Sequence, residues 1–521
     1  MAHRAHDADD DARGSRAALK TRVASSIFWL AWSRGAVQLL SFATTLLVAR
    51  ILTPADYGVM ALASVFIGMA VMLADMGLGM AIIQFRDLDR RELNTCFWII
   101  LTLAAVTYAA LALGAPMIAG WFAVPPLAKV LPVLALVLPV TACSVVSDSL
   151  LRKSLALNRV SQAEIIANLV ALAVMVGCAL VFPEFGVWIL VTGSLLVAVV
   201  KSVATFAFAP WLPGFRIGGK RAKEMLDFSL TALGASVMWS LKEQTDVLVI
   251  GKITGQDTVG LYSMAKDLAM LPTSKISNVI NTLSSPMMAE LQTDVEAMRG
   301  AFYRAVRLTS AIALPTSTGV ALVADELVPV MLGPKWVLAV PILRLLCLYA
   351  AVRAVDTLLP PVLIARRRQR FLFWYVLALL IAMPAASALG ALWDGAAGAV
   401  VFFTPVYCWL MAILTKEALA ELKGDFLELW SETWPILAAT ATMAGVVLLL
   451  REIPFPGWVK SPLVELMLLS ASGALVYLGA LFAFGRTMIV EGAEVLGWIL
   501  FRRPRAQTRV YCQTEARMYD E

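Results

Sequence analysis

Seven basic side chains, Arg34, Lys201, Lys242, Lys266, Lys275, Arg344 and Arg353, sit inside long apolar stretches of this chain, with Asp75, Glu243, Asp246, Asp267 and Asp356 near them. An isolated charge in mid-bilayer costs roughly 2.5 to 3.5 kcal/mol on insertion scales, so such residues must be paired, hydrated or functional. Lys242 and Asp246 stand four apart, and Arg353 three before Asp356, spacings that let side chains meet on one helix. Lys201, Lys275 and Arg344 read as structural ion pairs or as side chains snorkelling from span ends. Arg34 lies near the middle of its run with no acid three or four residues away, which singles it out for function. Guanidinium and ammonium groups satisfy phosphate oxygens through charge-assisted hydrogen bonds, so a space lined by these bases suits a phosphate-bearing, anionic amphiphile or polymer precursor.

The elements that must position these charges follow from composition. Of 521 residues, 60% are hydrophobic and only 15% charged, more apolar surface than a water-soluble core of ordinary size can hide. A span needs about 20 mostly apolar residues. Fourteen such runs are legible, near 23–49, 57–83, 95–118, 127–151, 161–182, 186–209, 226–251, 259–285, 303–324, 336–362, 371–392, 396–415, 433–450 and 462–485. The expected fold is therefore an all-α integral membrane protein of about fourteen transmembrane helices. With the N-terminus inside, most Lys and Arg fall on inner loops, whereas the outer loops hold only Arg50, Lys129, Lys252, Lys335, Arg451 and Lys460. The positive-inside rule then makes both termini cytoplasmic. That bias also accounts for the formal charge of +6 without a nucleic-acid partner. Residues 1–22 are polar and mixed in charge, an arm rather than a secretory signal. The six cysteines follow no pairing or metal-ligand pattern and both histidines lie in the arm, so neither a metal nor a cofactor is expected.

The chain also repeats itself. VARILTPADYGVMALA at 48–63 is answered by IGKITGQDTVGLYSMA at 250–265, with Arg50 against Lys252 and Gly58 against Gly260, an offset of 202. Two copies of six spans, 23–210 and 225–420, joined by a linker at 211–224, are the simplest reading; spans thirteen and fourteen at 433–485 are additional. An even number of spans enters from the same side each time, so the copies relate by an axis along the membrane normal and enclose a cavity between two lobes. Polar stripes mark its walls. Arg34, Gln38, Ser41 and Thr45 share one helix face, and Ser236, Ser240 and Glu243 occupy the repeat-related positions of the seventh run. Ser64, Asp75 and Gly79 likewise answer Lys266, Ser277 and Asn281.

Enzyme signatures are absent: there is no GxSxG, Walker loop, HExxH or dinucleotide-binding glycine pattern, and outer loops of about 12 residues leave little room for catalytic machinery. GLGMA at 77–81 reads as close helix packing or a flexible break within a span. Residues 488–505 read as an interfacial helix with a basic clamp on anionic lipid, in a tail that occupies 486–521.

Three stretches, ARILTPADYGVMALA at 49–63, DMGLGMAIIQFRDLDRRELNTCFWI at 75–99 and LVADELVPVMLGPKWVLAVPILRLL at 322–346, resemble the Wzx-type polysaccharide flippases of the multidrug, oligosaccharidyl-lipid and polysaccharide exporter superfamily. The resemblance implies a two-lobed bundle in a bacterial inner membrane, working by alternating access through a cationic lumen. It implies as cargo an undecaprenyl-pyrophosphate-linked oligosaccharide repeat unit, moved from inner to outer leaflet for exopolysaccharide, capsule or O-antigen synthesis. Carried onto this sequence, Arg34, Gln38, Lys242, Lys266 and Arg353 become candidates for holding pyrophosphate or acidic sugar, and Asp75, Asp246 and Asp356 for a coupling proton or sodium ion. The partners it implies are membrane lipid, a polysaccharide polymerase and a chain-length regulator. The alternatives are an ion-coupled exporter of drugs or organic cations, which a cationic lumen disfavours, and a membrane polysaccharide polymerase or ligase, which short outer loops disfavour. The lipid II flippase also has fourteen spans, its added pair resembling a groove for a lipid tail.

Overall fold

The computed structural model describes residues 40–85, 88–218, 221–452 and 461–484, together with Gly35, Val37 and Gln38. Within these, the side chains at 222, 228, 231, 232, 235, 275–283, 285 and 286 are left out of the description. The N-terminal arm, Arg34, the side chain of Lys275 and the segment 488–505 therefore lie outside the described residues.

Among the described residues only helices and their connections occur. In chain order they are α1 (Leu40–Ala49), α2 (Pro54–Asp75), α3 (Leu78–Gln84), α4 (Arg90–Phe122), α5 (Leu127–Leu134), α6 (Val137–Ala142), α7 (Val145–Lys153), α8 (Leu157–Val181) and α9 (Val187–Phe208). There follow α10 (Ala222–Thr254), α11 (Gln256–Glu290), α12 (Val295–Leu322), α13 (Ala324–Met331), α14 (Val340–Asp356), α15 (Leu359–Ala365), α16 (Gln369–Leu422), α17 (Phe426–Glu452) and α18 (Pro462–Phe484). Among the described residues eight helical stretches, with Pro334–Ala365 taken as one, are long and apolar enough to cross a membrane, or up to ten if each of two bent pairs is one span. The polar stripes explain why α10 and α11, at 33 and 35 residues, fall short of that apolar test. The 54 residues of α16 hold two spans, because Asp394 (φ −148°) and Gly395 (φ 55°) leave helical geometry and turn the chain back. A left-handed φ there suits glycine.

The quoted motifs are instructions for helix ends. In LTPADYG, Thr53 and Asp56 form a capping box and Pro54 occupies the first helical turn, where a missing N–H costs nothing. Asp89 and Glu92 form a second box at the start of α4. The following Asn94, Thr95 and Trp98 tie down the chain after α9. Asn94 Oδ1 accepts from the Gly214 N–H at 3.0 Å, Trp98 Nε1 donates to the Gly214 carbonyl at 3.1 Å, and Thr95 Oγ1 accepts from Gly218 N at 2.9 Å.

The chain divides into two compact units. The first gathers the described residues up to Ala265 with Val328–Ile342 and Val376–Tyr407. Within it, Val48 and Leu52 pack on Ala179, Ile189 and Leu190 of α8 and α9. The second unit comprises Lys266–Leu327, Leu343–Tyr375 and the described residues from Cys408 onward. There Ile436, Ala439 and Met443 of α17 pack on Tyr477, Ala480 and Leu481 of α18, with Ala311 and Leu314 of α12 against them. Polar contacts pin these three helices and tie α17 to α13: Tyr477 Oη donates to the Ala311 carbonyl at 2.6 Å, Arg307 pairs with Glu432 at 2.6 Å, and Arg451 pairs with Glu326 of α13 at 2.6 Å and Asp325 at 3.2 Å.

Candidate functional site

In the first unit the polar interior starts from a break in the chain. α2 stops at Asp75 because Met76 (φ 49°) and Gly77 (φ 74°) take left-handed conformations in succession, and α3 starts immediately after. Asp75 spans the break: its Oδ1 accepts from the Gly79 N–H at 3.3 Å, satisfying a donor of the new helix start. A cavity of about 760 Å³ belongs to the second unit, and one of about 540 Å³ opens here, lined by Asp75, Gly79, Thr141, Ser144, Asp148, Ser149, Arg152, Lys201, Ser202 and Thr205 among apolar neighbours. Arg152 Nε bonds to Asp148 at 2.6 Å, Lys201 Nζ bonds to Glu164 at 2.9 Å, and Arg152 reaches the same Glu164 at 3.9 Å. Ser144 and Ser202 share a hydrogen bond of 3.0 Å. Asp148 Oδ1 is buried without a hydrogen-bond partner. Three carboxylates thus stand with two bases, which leaves the cluster one negative charge in excess and suited to a small cation or proton.

The other sequence candidates are distributed as follows. In the first unit Gln38 is half-buried; the ammonium of Lys242, whose side chain is 7% exposed, lies 4.4 Å above the Trp239 ring and 3.9 Å from Glu243. Asp246 accepts the Tyr262 hydroxyl at 2.5 Å and is not among the residues lining the Asp75 cavity. On α10, Gln244 bonds to Ser240 one turn away at 2.9 Å, and Gly68 of α2 faces that Gln244 side chain. In the second unit Lys266 is half-buried, Arg353 Nη1 lies 3.8 Å from the Met270 sulfur, and the buried Asp356 accepts the Tyr375 hydroxyl at 3.2 Å. Arg344, expected to be structural, pairs with Asp325. Sequence reasoning did not single out Asp148, Arg152 and Glu164 as partners of Asp75 and Lys201. The four-residue step from Asp148 to Arg152 was the available signal; Glu164 left none, since it meets Lys201 from another helix.

The 760 Å³ cavity of the second unit lies among α12, α17 and α18 and is lined almost wholly by hydrocarbon, including Leu308, Ile312, Val320, Leu327, Met443, Val447, Leu469 and Leu481. Its one charged lining residue, Arg307, has its guanidinium held by Glu432.

A helical bundle of membrane-spanning length with charged groups gathered inside it defines an integral membrane protein built to accommodate polar matter within its span. The chain belongs to the polysaccharide biosynthesis protein family, whose pattern matches residues 47–341. It is 24% identical to the succinoglycan biosynthesis transport protein ExoT of Rhizobium meliloti, over 93% of this chain and 97% of ExoT. It is 26% identical to the lipopolysaccharide biosynthesis protein WzxC of Escherichia coli, over 74% of this chain and 78% of WzxC. Its fold is similar to that of the lipid II flippase MurJ in an inward closed conformation, with a TM-score of 0.71 over 88% of this chain and 99% of MurJ at 12% identity.

Proposed function

We propose that this chain is a transporter rather than an enzyme, and that it moves a lipid-linked oligosaccharide repeat unit from the inner to the outer leaflet of a bacterial inner membrane. The observation that carries this reading is the hydrocarbon-lined cavity of α12, α17 and α18 in a chain that also encloses charged groups. An amphiphile with a charged head and a long apolar tail needs both a hydrocarbon-lined space and charged groups. The tail of an undecaprenyl carrier would lie in this cavity. Arg34, Gln38, Lys242, Lys266 and Arg353 would hold its pyrophosphate or acidic sugars.

The coupling cation, a proton or sodium ion, would load on Asp75, Asp246 or Asp356. Asp75 is supported by its own carboxylate, which is the one left unbalanced when Arg152 and Lys201 are set against Asp148 and Glu164. Residues 23–210 and 225–420 would act as the two lobes, with the arm 1–22 and the tail 486–521 on the cytoplasmic side and spans 433–485 appended for the lipid. A polymerase and a chain-length regulator would take up the delivered unit. The test is Arg34→Glu: polymer export should be lost while the protein still inserts in the membrane. Normal polymer in that variant removes Arg34 from the site. A deletion strain that still displays lipid-linked sugar on the outer leaflet at the normal rate overturns the reading altogether.

A further inference from the structure

Within the first unit, the turn after α1 and the turn between α10 and α11 each hold the C-terminal end of a helix that belongs, by the sequence repeat, to the other copy. Arg50, at the end of α1, donates from Nε to the Met331 carbonyl at 3.2 Å and from Nη2 to the Val330 carbonyl, so it closes the C-terminal turn of α13. Lys252, its counterpart at the offset of 202, donates to the Trp121 carbonyl in the last turn of α4, with its ammonium 5.1 Å above the Trp121 ring. Each base thus caps a helix of the other copy, Arg50 the short α13 and Lys252 the long α4. Between these two caps the second spans cross. A Cβ at Gly58 would run into the Gln256 carbonyl, and a Cβ at Gly260 into the Pro54 carbonyl; these four residues are two repeat-related pairs.

We propose that Arg50 and Lys252 are the paired bolts of an outer seal, that the Gly58–Gly260 crossing is its pivot, and that both caps must release for cargo to leave. The proposal rests on the transport reading above and on the expectation from the distribution of basic residues that these turns lie at the outer face. Helix C-termini present unpaired carbonyls and a partial negative charge, which a cation binds favourably yet exchanges readily for water when it is exposed. Arg50 is exposed, so its hydrogen bonds can be traded for water without stranding a buried charge. The glycine crossing brings two backbones together with no side chains to disentangle. The seal is also lopsided. Lys335 donates to the Ile51 carbonyl at 2.8 Å and the buried Trp336 to the Ala49 carbonyl at 2.9 Å, so the α1 end is held from both directions. The Lys252 side shows no such second clasp among the described hydrogen bonds and should yield first.

The test uses the full chain with its six natural cysteines replaced and Ser64→Cys as reporter. Ser64 is exposed on α2 one turn before Gly68, below the crossing. A membrane-impermeant maleimide is added outside intact cells. Labelling should rise roughly tenfold in Arg50→Ala or Lys252→Ala and more in the double variant, the shift expected for loss of one charge-assisted cap. Arg50→Lys, which keeps a cationic donor, should stay nearer the parent. As a second measure independent of loss-of-cap folding effects, Ile51→Cys and Lys335→Cys are joined by a cleavable bifunctional thiol reagent; export should stop and resume on cleavage. Labelling that is the same in the alanine variants as in the parent, or full export by the joined protein, overturns the seal. Labelling requires no cargo, so its outcome is separate from that of the deletion strain, which judges transport itself.

Discussion

Asp75 has two separable jobs, and two substitutions part them. As a cap, its Oδ1 accepts the Gly79 N–H at 3.3 Å across the left-handed break and holds the start of the seven-residue α3. As a charge, it belongs to a cavity in which Asp148, Arg152 and Lys201 also take part, with Glu164 bound behind Lys201. Asp75→Asn keeps an acceptor of the same shape and removes the charge, leaving two carboxylates with two bases. Asp75→Ala removes both. Loss of a helix-start cap costs about 1 kcal/mol, so the alanine variant should unfold measurably earlier in detergent and the asparagine variant almost where the parent does. If the charge loads a coupling ion, both variants should export polymer at least about tenfold more slowly, a change of about 1.4 kcal/mol in the barrier. The assays are thermal unfolding of the purified protein and the rate of surface polymer appearance in a strain lacking the natural copy. Asp75→Asn with full export would show that the residue is a cap and nothing more, and would sink the coupling assignment.

Gly260→Val should destabilise by about 1 to 3 kcal/mol, the usual range for overpacking, because its Cβ meets the Pro54 carbonyl rather than a movable side chain; an unchanged unfolding midpoint would show that the crossing is loose. Gly319 lines the apolar cavity of α12, α17 and α18 with open space where a Cβ would project. Gly319→Trp should therefore leave folding intact and reduce labelling by a photoreactive polyprenyl phosphate, and equal labelling would argue against a lipid tail in that cavity. Glu164→Ala deprives Lys201 and part of Arg152 of their partner, but Lys201 is 35% exposed, so about 1 kcal/mol should be lost rather than the several of a fully buried pair. Adding Lys201→Met should recover part of that loss in a double-mutant cycle.

The three stretches that carry the family resemblance were legible as scaffold, and their local roles follow from residue type: Thr53 with Asp56, Asp89 with Glu92, and the Met76–Gly77 break are decided within a few residues. Their meeting was not legible. The first stretch ends on Arg50 and the third contains Val330, Lys335 and Trp336, yet only the folded chain places Arg50 on Val330 across a sequence separation of 280 and Trp336 against Tyr57 with ring centroids 5.3 Å apart. Lys201 reads in sequence as an ion pair or a snorkelling side chain; the fold pairs it with Glu164, which lies 37 residues away on α8 and follows from no spacing rule.

The sequence by itself determined that the chain lives in a bilayer and how its apolar runs and polar faces alternate. Both are properties of windows of about 20 residues, because a single helix must satisfy its own backbone and match hydrocarbon along its own length. Tertiary structure alone decided which partner each charge and each helix end takes. An ion pair or a cap is chosen by which distant groups the packed helices bring within about 3 Å, and helix packing is set by side-chain shape on both surfaces at once. Arg50 and Lys252 look alike in sequence as two lone bases on outer turns; in the fold each closes the helix that ends beside it.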